Sequence, residues 1–97
     1  MEFEWDPHKA EANLKKHKVA FSEASAIFGD DFGITIYDPD HSENEDRFIT
    51  IGLSNLNRLL MVSYSDRSGI IRIINARQLT RHEREAYENE IKKRQRR

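Results

Sequence analysis

Apolar residues recur along this chain in two rhythms. From Pro7 to His17 they are sparse, and Ala10, Leu14 and His17 follow an i, i+4, i+7 spacing that predicts a mostly polar helix with a narrow inner stripe. Asp6-Pro7 marks its start: aspartate caps free amides, and proline suits the first helical position because it has no N–H to lose. Ser22 reads as the cap of a second, short helix over Glu23–Phe28, with Ala24, Ile27 and Phe28 inward and Gly29 as its stop. The rhythm then changes to alternation. Phe32–Tyr37 and Glu45–Leu53 read as strands, the second with Ile49, Ile51 and Leu53 on one face and Phe48 and Thr50 on the other. A turn-rich acidic loop, Asp38–Asn44, lies between them. Strands Arg58–Ser65 and Ile70–Ala76 follow, joined by a hairpin turn at Asp66-Arg67-Ser68-Gly69. Both are apolar on two faces, which predicts central positions with helices covering part of one face. Gly52, inside a strand, indicates a bulge or a close approach by another element.

Thr80-Arg81-His82-Glu83 is a capping box that opens a last helix over Arg81–Arg94. Its inner positions are few (Leu79, Ala86 or Tyr87, and Ile91), so it is expected to dock loosely, with Arg94-Gln95-Arg96-Arg97 frayed. Phe3-Glu4-Trp5 has the pattern of a short extra strand. The order (β)-α-α-β-β-β-β-α predicts an α+β fold: two N-terminal helices, a four-stranded antiparallel meander and a C-terminal helix, in one domain spanning residues 1–97.

Composition narrows the function classes. The 97 residues contain no cysteine, which excludes thiolate chemistry and disulfides and fits a reducing, cytoplasmic setting. No apolar run approaches the ~20 residues needed to span a bilayer. The acidic opening Met1–Asp6 is unlike a signal peptide, so the expected protein is the whole soluble chain. The net charge of −1 conceals an asymmetry: residues 1–57 hold five Lys/Arg and twelve Asp/Glu, while residues 58–97 hold eleven and five. That predicts a polar molecule with a local basic face rather than a globally basic one.

The basic half carries arginine within strands. Guanidinium groups hold phosphate through two parallel hydrogen bonds, which an ammonium cannot do. The alternative is ordinary pairing with carboxylates such as Asp66, Glu83 and Glu85. If the fourth strand stays regular, Arg72 and Arg77 point to opposite faces. Arg47, Arg67, Arg72 and Arg77 then cannot share one site unless that strand ends or bulges near Asn75. The four histidines show no ligand spacing beyond an isolated His41-x-Glu43, so neither metal nor other cofactor is expected. His17 is either a packed residue at a helix C-terminus or, with Lys16, a cation and proton carrier near the sheet.

The residues that make these elements also resemble a family. The opening Phe3-Glu4-Trp5-Asp6, Lys9, Asn13, Lys16-His17, Val19-x-Phe21, Ala24 and Phe28 is similar to that of the BrnT toxins of type II toxin–antitoxin pairs. So are Glu45-x-Arg47-Phe48, Ile51-Gly52, Tyr64-x-x-Arg67, Arg72-Ile73-Ile74-x-Ala76-Arg77 and Glu83-Arg84-x-x-Tyr87. The chain departs from the pattern at Asn75, where serine is usual, at Leu79, where alanine is common, and at Lys18, where glycine commonly ends the first helix. The resemblance implies a RelE-like fold and an endoribonuclease that arrests translation. It further implies neutralisation by a cognate BrnA-like antitoxin, with DNA bound only through that partner in a complex that represses its own operon.

A site consistent with both lines of reasoning cleaves RNA without metal by attack of the ribose 2′-OH on the neighbouring phosphorus. Arg77 and Arg67 are the candidates for transition-state charge, where a well-placed donor contributes about 3–4 kcal/mol, and Lys16 is a second cation. Glu45, His17 and Tyr64 are the candidate acid and base. Arg47, Arg72, Arg81 and Arg84 are assigned to the RNA backbone. The competing function is a non-catalytic or degenerate module that uses the same arginines to bind a DNA-binding partner protein.

Overall fold

A computed structural model describes residues 1–95. The elements are β1 (Glu2–Glu4), α1 (Pro7–His17), α2 (Phe21–Ala26), β2 (Ile34–Tyr37), β3 (Arg47–Leu53), β4 (Leu59–Arg67), β5 (Ile70–Gln78) and α3 (Arg81–Gln95), with 3-10 turns at Ile27–Gly29 and Pro39–His41. Strands β2 to β5 form the expected antiparallel meander, and the short N-terminal strand is present. It joins β5 in parallel, so the sheet is five-stranded and mixed, in the order β1-β5-β4-β3-β2.

The core lies on one face of this sheet. Val62, Tyr64, Ile71, Ile73 and Ala76 meet Val19, Phe21, Ala24 and Ile27 of the helical layer. An aromatic chain spans it: Phe3 touches Phe28, Phe28 meets Tyr64 edge-on at 5.0 Å, and Tyr64 stacks on Phe48 at 5.8 Å. Such contacts add about 0.5–1.5 kcal/mol each beyond burial. Gly52 is the close approach its position indicated. A Cβ there would stand 3.1 Å from the Ile27 carbonyl oxygen, so the 3-10 turn sits directly on β3. Helix α2 begins two residues before the expected range, at Phe21. Ala20 occupies the cap with no side-chain bond, and Ser22 is exposed. Burial of Phe21 (2% exposed) fixes this start where a hydroxyl cap does not.

Helix α1 has the predicted bounds, and Asp6 Oδ1 accepts from the His8 and Lys9 amides at 2.7 and 3.4 Å. Its inner stripe differs from expectation. Leu14 is 48% exposed, and Asn13 is buried instead. The reason is the surface that α1 covers. Strand β1 pairs with β5 only as far as Arg72, leaving the edge of β5 open beyond it. Asn13 takes that edge as a strand would: Nδ2 donates to the Ala76 carbonyl (2.8 Å), and Oδ1 accepts from the Ala76 amide (3.1 Å). Nδ2 also donates to the Val19 carbonyl at 2.9 Å. A leucine would leave these buried backbone groups unpaired.

Lys18 ends α1 in the left-handed region (φ 59°, ψ 32°), with its amide bonded to the Leu14 carbonyl at 3.0 Å. The helix therefore stops as a glycine-ended helix would, at the steric cost of a Cβ. The Lys18 carbonyl is held in turn by Arg58 Nη2 at 3.0 Å. Arg58 also forks onto the buried Glu23 carboxylate, which accepts from Ser54 Oγ at 2.7 Å. This network joins α2 to the β3–β4 turn, and the Arg58 guanidinium holds the Glu23 carboxyl below its ordinary range.

The β4–β5 hairpin is tighter than expected. Arg67 is not in the turn but pairs with Ile70, and the turn is Ser68-Gly69, with φ of 54° and 89°. Positive φ at both central residues matches the strand twist. The capping box of α3 forms: Glu83 N–H donates to Thr80 Oγ1 at 3.2 Å, and Thr80 N–H to Glu83 Oε1 at 2.9 Å. Leu79 and Tyr87 are its buried anchors. Between α3 and the sheet runs a groove of about 450 Å³ beside Phe32, Leu53, Leu59 and Ile91, in keeping with thin apolar docking. Of the four residues expected to fray, Arg94 and Gln95 are helical, and Arg96 and Arg97 lie outside the described residues.

Two stability measurements follow. Asn13→Ala strands the Ala76 and Val19 backbone groups and should lower unfolding free energy in urea by about 2–4 kcal/mol. Lys18→Gly should raise it by about 0.5–1 kcal/mol, since glycine removes the left-handed strain without loss of a side-chain bond. A destabilised Lys18→Gly protein would show that the lysine side chain contributes more than its backbone strain costs.

Candidate functional site

The second face of the sheet carries the arginines, and one irregularity in β5 places them there. Tyr64 pairs with Ile73, but Ser63 pairs with Asn75, so Ile74 is an extra residue with no partner on β4. Burial follows the shift: Ile71, Ile73 and Ala76 face the core. An inserted residue reverses the side-chain alternation after it. Arg77 therefore emerges on the same face as Arg72. The opposite-face arrangement expected of a regular strand does not hold, and the bulge near Asn75 that would unite the arginines is present.

Three rows cross this face. Glu4, Arg72, Ser65 and Arg47 are register partners across four strands. Asn75, Ser63, Ile49 and Ile36 form the next row, and Arg77, Met61, Ile51 and Ile34 the third. A cleft of about 290 Å³ lies over them, lined by Asp38, His41, Arg47, Ser63, Asn75 and Arg77, with Ile49, Met61 and Ile74 as apolar surface. A second cleft, of about 440 Å³, continues from it past Glu45 to Arg67. His41 and Arg47 line both.

Most of these cations are held by the chain's own carboxylates. Arg77 forks onto Glu83 at 2.7 and 2.9 Å, and its Nη2 also lies 3.2 Å from Met61 Sδ. That fork, with the Thr80 amide, holds the Glu83 carboxyl down to about 2. Arg67 forks onto Glu45 at 2.8 and 3.4 Å and lies 3.8 Å from Glu4. Arg67 holds the Glu45 carboxyl below its usual range. Arg72 lies 3.4 Å from Glu4. Arg47 differs: it has no carboxylate within bridging distance among the described residues, and its Nε is buried without an acceptor. Its register neighbour, the fully buried Ser65, also has an unpartnered hydroxyl.

The remaining predicted residues divide by position. Tyr64 lies on the core face, 6% exposed, with its hydroxyl 2.9 Å from Thr50 Oγ1, so the structure does not bring it to the arginines. Lys16 and His17, at the end of α1, border a shallow depression of about 170 Å³ with Ile74 and Asn75, residues that also line the central cleft. They flank the cleft across the β5 edge. Arg81 and Arg84 lie on α3 outside both clefts, and Arg81 reaches Glu85 at 3.4 Å. Glu45 is in the site but committed to Arg67.

Sequence reasoning missed that His41 and Ser63 line the cleft. His41 had a readable signal. Pro39 starts a 3-10 turn, which brings residues three apart onto one side. The structure accordingly sets His41 Nδ1 2.9 Å from Asp38 Oδ2. Nothing in the sequence indicated that this loop folds against Arg47.

Comparison with known proteins agrees with this fold. The fold matches a 1.1 Å crystal structure of the Brucella abortus ribonuclease toxin BrnT, with a TM-score of 0.62, 19% identity, and 84% of this chain and 99% of that one covered. No curated protein sequence matches. The family model described as the ribonuclease toxin BrnT of type II toxin–antitoxin systems matches residues 5–83. The chain belongs to that family of ribonuclease toxins.

Proposed function

We propose that this protein is a metal-independent endoribonuclease toxin that acts in the cytoplasm, cleaves RNA and so inhibits translation. A cognate BrnA-like antitoxin neutralises it, and through that DNA-binding partner the pair represses its own operon. The observation that carries this reading is the Ile74 bulge, which puts Arg77 on the same sheet face as Arg47, Arg67 and Arg72, with Arg47 and Arg77 lining one open cleft.

The chemistry follows from the arrangement. A scissile phosphate placed over Asn75 and Ser63 meets Arg47 from β3 and Arg77 from β5. As the 2′-oxygen attacks, a second negative charge grows on the phosphoryl oxygens, and two guanidinium forks stabilise it more than they stabilise the ground state. The nucleophile is the substrate's own hydroxyl, so no metal-activated water is required. Arg77 must turn from Glu83 to the phosphate. Arg67 and Arg72, held by Glu45 and Glu4, attract flanking phosphates. Lys16 and His17 extend the cationic border on the other side of β5. Arg81 and Arg84 belong outside this set, as outlying contacts to the RNA backbone.

One observation favours the second reading, a non-catalytic partner-binding module. Three of these arginines already hold carboxylates, so the face has the chemistry to bind an acidic segment of a partner protein. Both readings predict a complex with the antitoxin; only the first predicts cleavage.

Expression of the protein alone should arrest growth, and co-expression of its antitoxin should relieve the arrest. Arg77→Ala should abolish the arrest and lower RNA cleavage by the pure protein about 10²–10³-fold. Normal growth together with intact total RNA would eliminate the toxin reading and leave the binding module. The Arg77–Glu83 fork also has an acid signature. The Glu83 pKa is depressed on folding, so its stabilisation is complete above about pH 4.5 and is lost as pH falls toward about 2. Thermal melts of wild type and Glu83→Gln should therefore differ at pH 7 and converge as pH falls through about 2.

A further inference from the structure

The arginine face supplies charge but no obvious proton carrier. Glu45 is committed to Arg67, Tyr64 lies on the other side of the sheet, and His17 flanks the cleft across the β5 edge without lining it. We propose that His41, oriented by Asp38, is the general base for RNA cleavage; the assignment rests on the ribonuclease reading above and names a residue for it.

The loop is built to hold this ring beside the phosphate site. Its backbone is stitched to β3 on both sides of Arg47. Asp38 N–H donates to the Arg47 carbonyl at 2.9 Å, and Arg47 N–H donates to Ser42 Oγ at 2.9 Å. Ser42 Oγ donates to the Asp38 carbonyl at 2.5 Å, and the Ser42 amide closes the 3-10 turn onto Pro39 O. The Asp38 side chain is 16% exposed, whereas that of His41 is 66% exposed. The carboxylate is thus the fixed partner and the ring the accessible one. With Nδ1 bonded to Asp38, the proton sits on Nδ1 and Nε2 is left free as the basic nitrogen. A loop brace alone would explain the Asp38 contact. It would not explain why His41, like Arg47, lines both clefts of the arginine face.

In the reaction, Nε2 of His41 takes the proton of the ribose 2′-hydroxyl as its oxygen bonds to phosphorus. The P–O5′ bond breaks with its electron pair on the 5′-oxygen, which takes a proton from water in the open cleft. The product is a 2′,3′-cyclic phosphate, and the imidazolium, stabilised by Asp38, returns its proton to solvent. Arg47 and Arg77 hold the charge on the phosphoryl oxygens throughout. The charged groups around the ring are the carboxylates of Asp38, Asp40, Glu43 and Glu45 and the guanidinium groups of Arg47, Arg67 and Arg77.

The test uses the full chain and a single-stranded RNA oligonucleotide. His41→Gln should lower kcat about 10²–10⁴-fold with little change in RNA affinity, and should remove the acidic limb of the pH–rate profile. Added imidazole should restore part of the rate to His41→Ala, and Asp38→Asn should lower kcat less than His41→Gln does. His41→Gln cleaving at the wild-type rate with the wild-type pH profile, while Arg77→Ala is inactive, would overturn the assignment and leave the toxin reading intact. A folded wild-type protein that cleaves no RNA would overturn both.

Discussion

One inserted residue governs what this sheet can do. Without Ile74 as a bulge, Arg77 would enter the core face, where Val62 and Ala76 pack under the helices, and no cationic cleft would exist. The bulge is held from its downstream side. Asn13 grips both backbone groups of Ala76, two residues beyond Ile74, and so fixes the strand in its reversed phase. The same amide ties Val19 to that edge and sets the path from α1 into α2. Helix position, strand phase and arginine direction therefore depend on one buried side chain. Its replacement by an apolar residue would loosen all three together.

The second organising feature is the way charge is stored. The acidic N-terminal half and the basic C-terminal half are not separate surfaces; they interlock on the arginine face. Glu4 from β1 and Glu45 from the β2–β3 loop reach Arg72 and Arg67. These pairs are half exposed and add little stability each. They keep four guanidinium groups near one another without the repulsion that bare cations would suffer. Arg47, with no carboxylate partner among the described residues, stands where β3 passes between the two clefts. Such a face is nearly neutral from a distance and strongly directional at contact, which suits recognition of a backbone phosphate over general attraction to polyanions.

Much of the fold was readable because local chemistry agreed with it. Asp6-Pro7 begins α1, Thr80 and Glu83 cap α3, and the alternation in β3 assigns Phe48 and Thr50 to one face and the isoleucines to the other, as observed. The differences share a cause: each was decided by a partner distant in sequence. Asn13 replaced Leu14 because α1 lies along a strand edge, which asks for hydrogen bonds in place of methyl groups. Phe21 began α2 ahead of Ser22 because its ring had a core to enter. Arg67 left the turn because Ser68 and Gly69 suffice to make it. Among candidate site residues, Arg47, Arg67, Arg72 and Arg77 did converge. Tyr64 did not, because the alternation of β4 sends it to the core. His41 was passed over because a turn-rich loop carries no periodicity from which a direction can be read.

Glu83 shows how closely the site is joined to the fold. Its carboxylate closes the capping box of α3 through the Thr80 amide and also holds Arg77. In the proposed reaction Arg77 would turn to a phosphate, and Glu83 would then lose a strong partner but keep the cap. The helix start therefore survives the exchange while its link to the sheet is released. Helix α3 has few other anchors, chiefly Leu79 and Tyr87, and a groove already separates much of it from the sheet. Release of the fork at the cleft should thus reach the α3–sheet packing directly. What occupies the cleft and how firmly α3 docks are two readings of a single carboxylate.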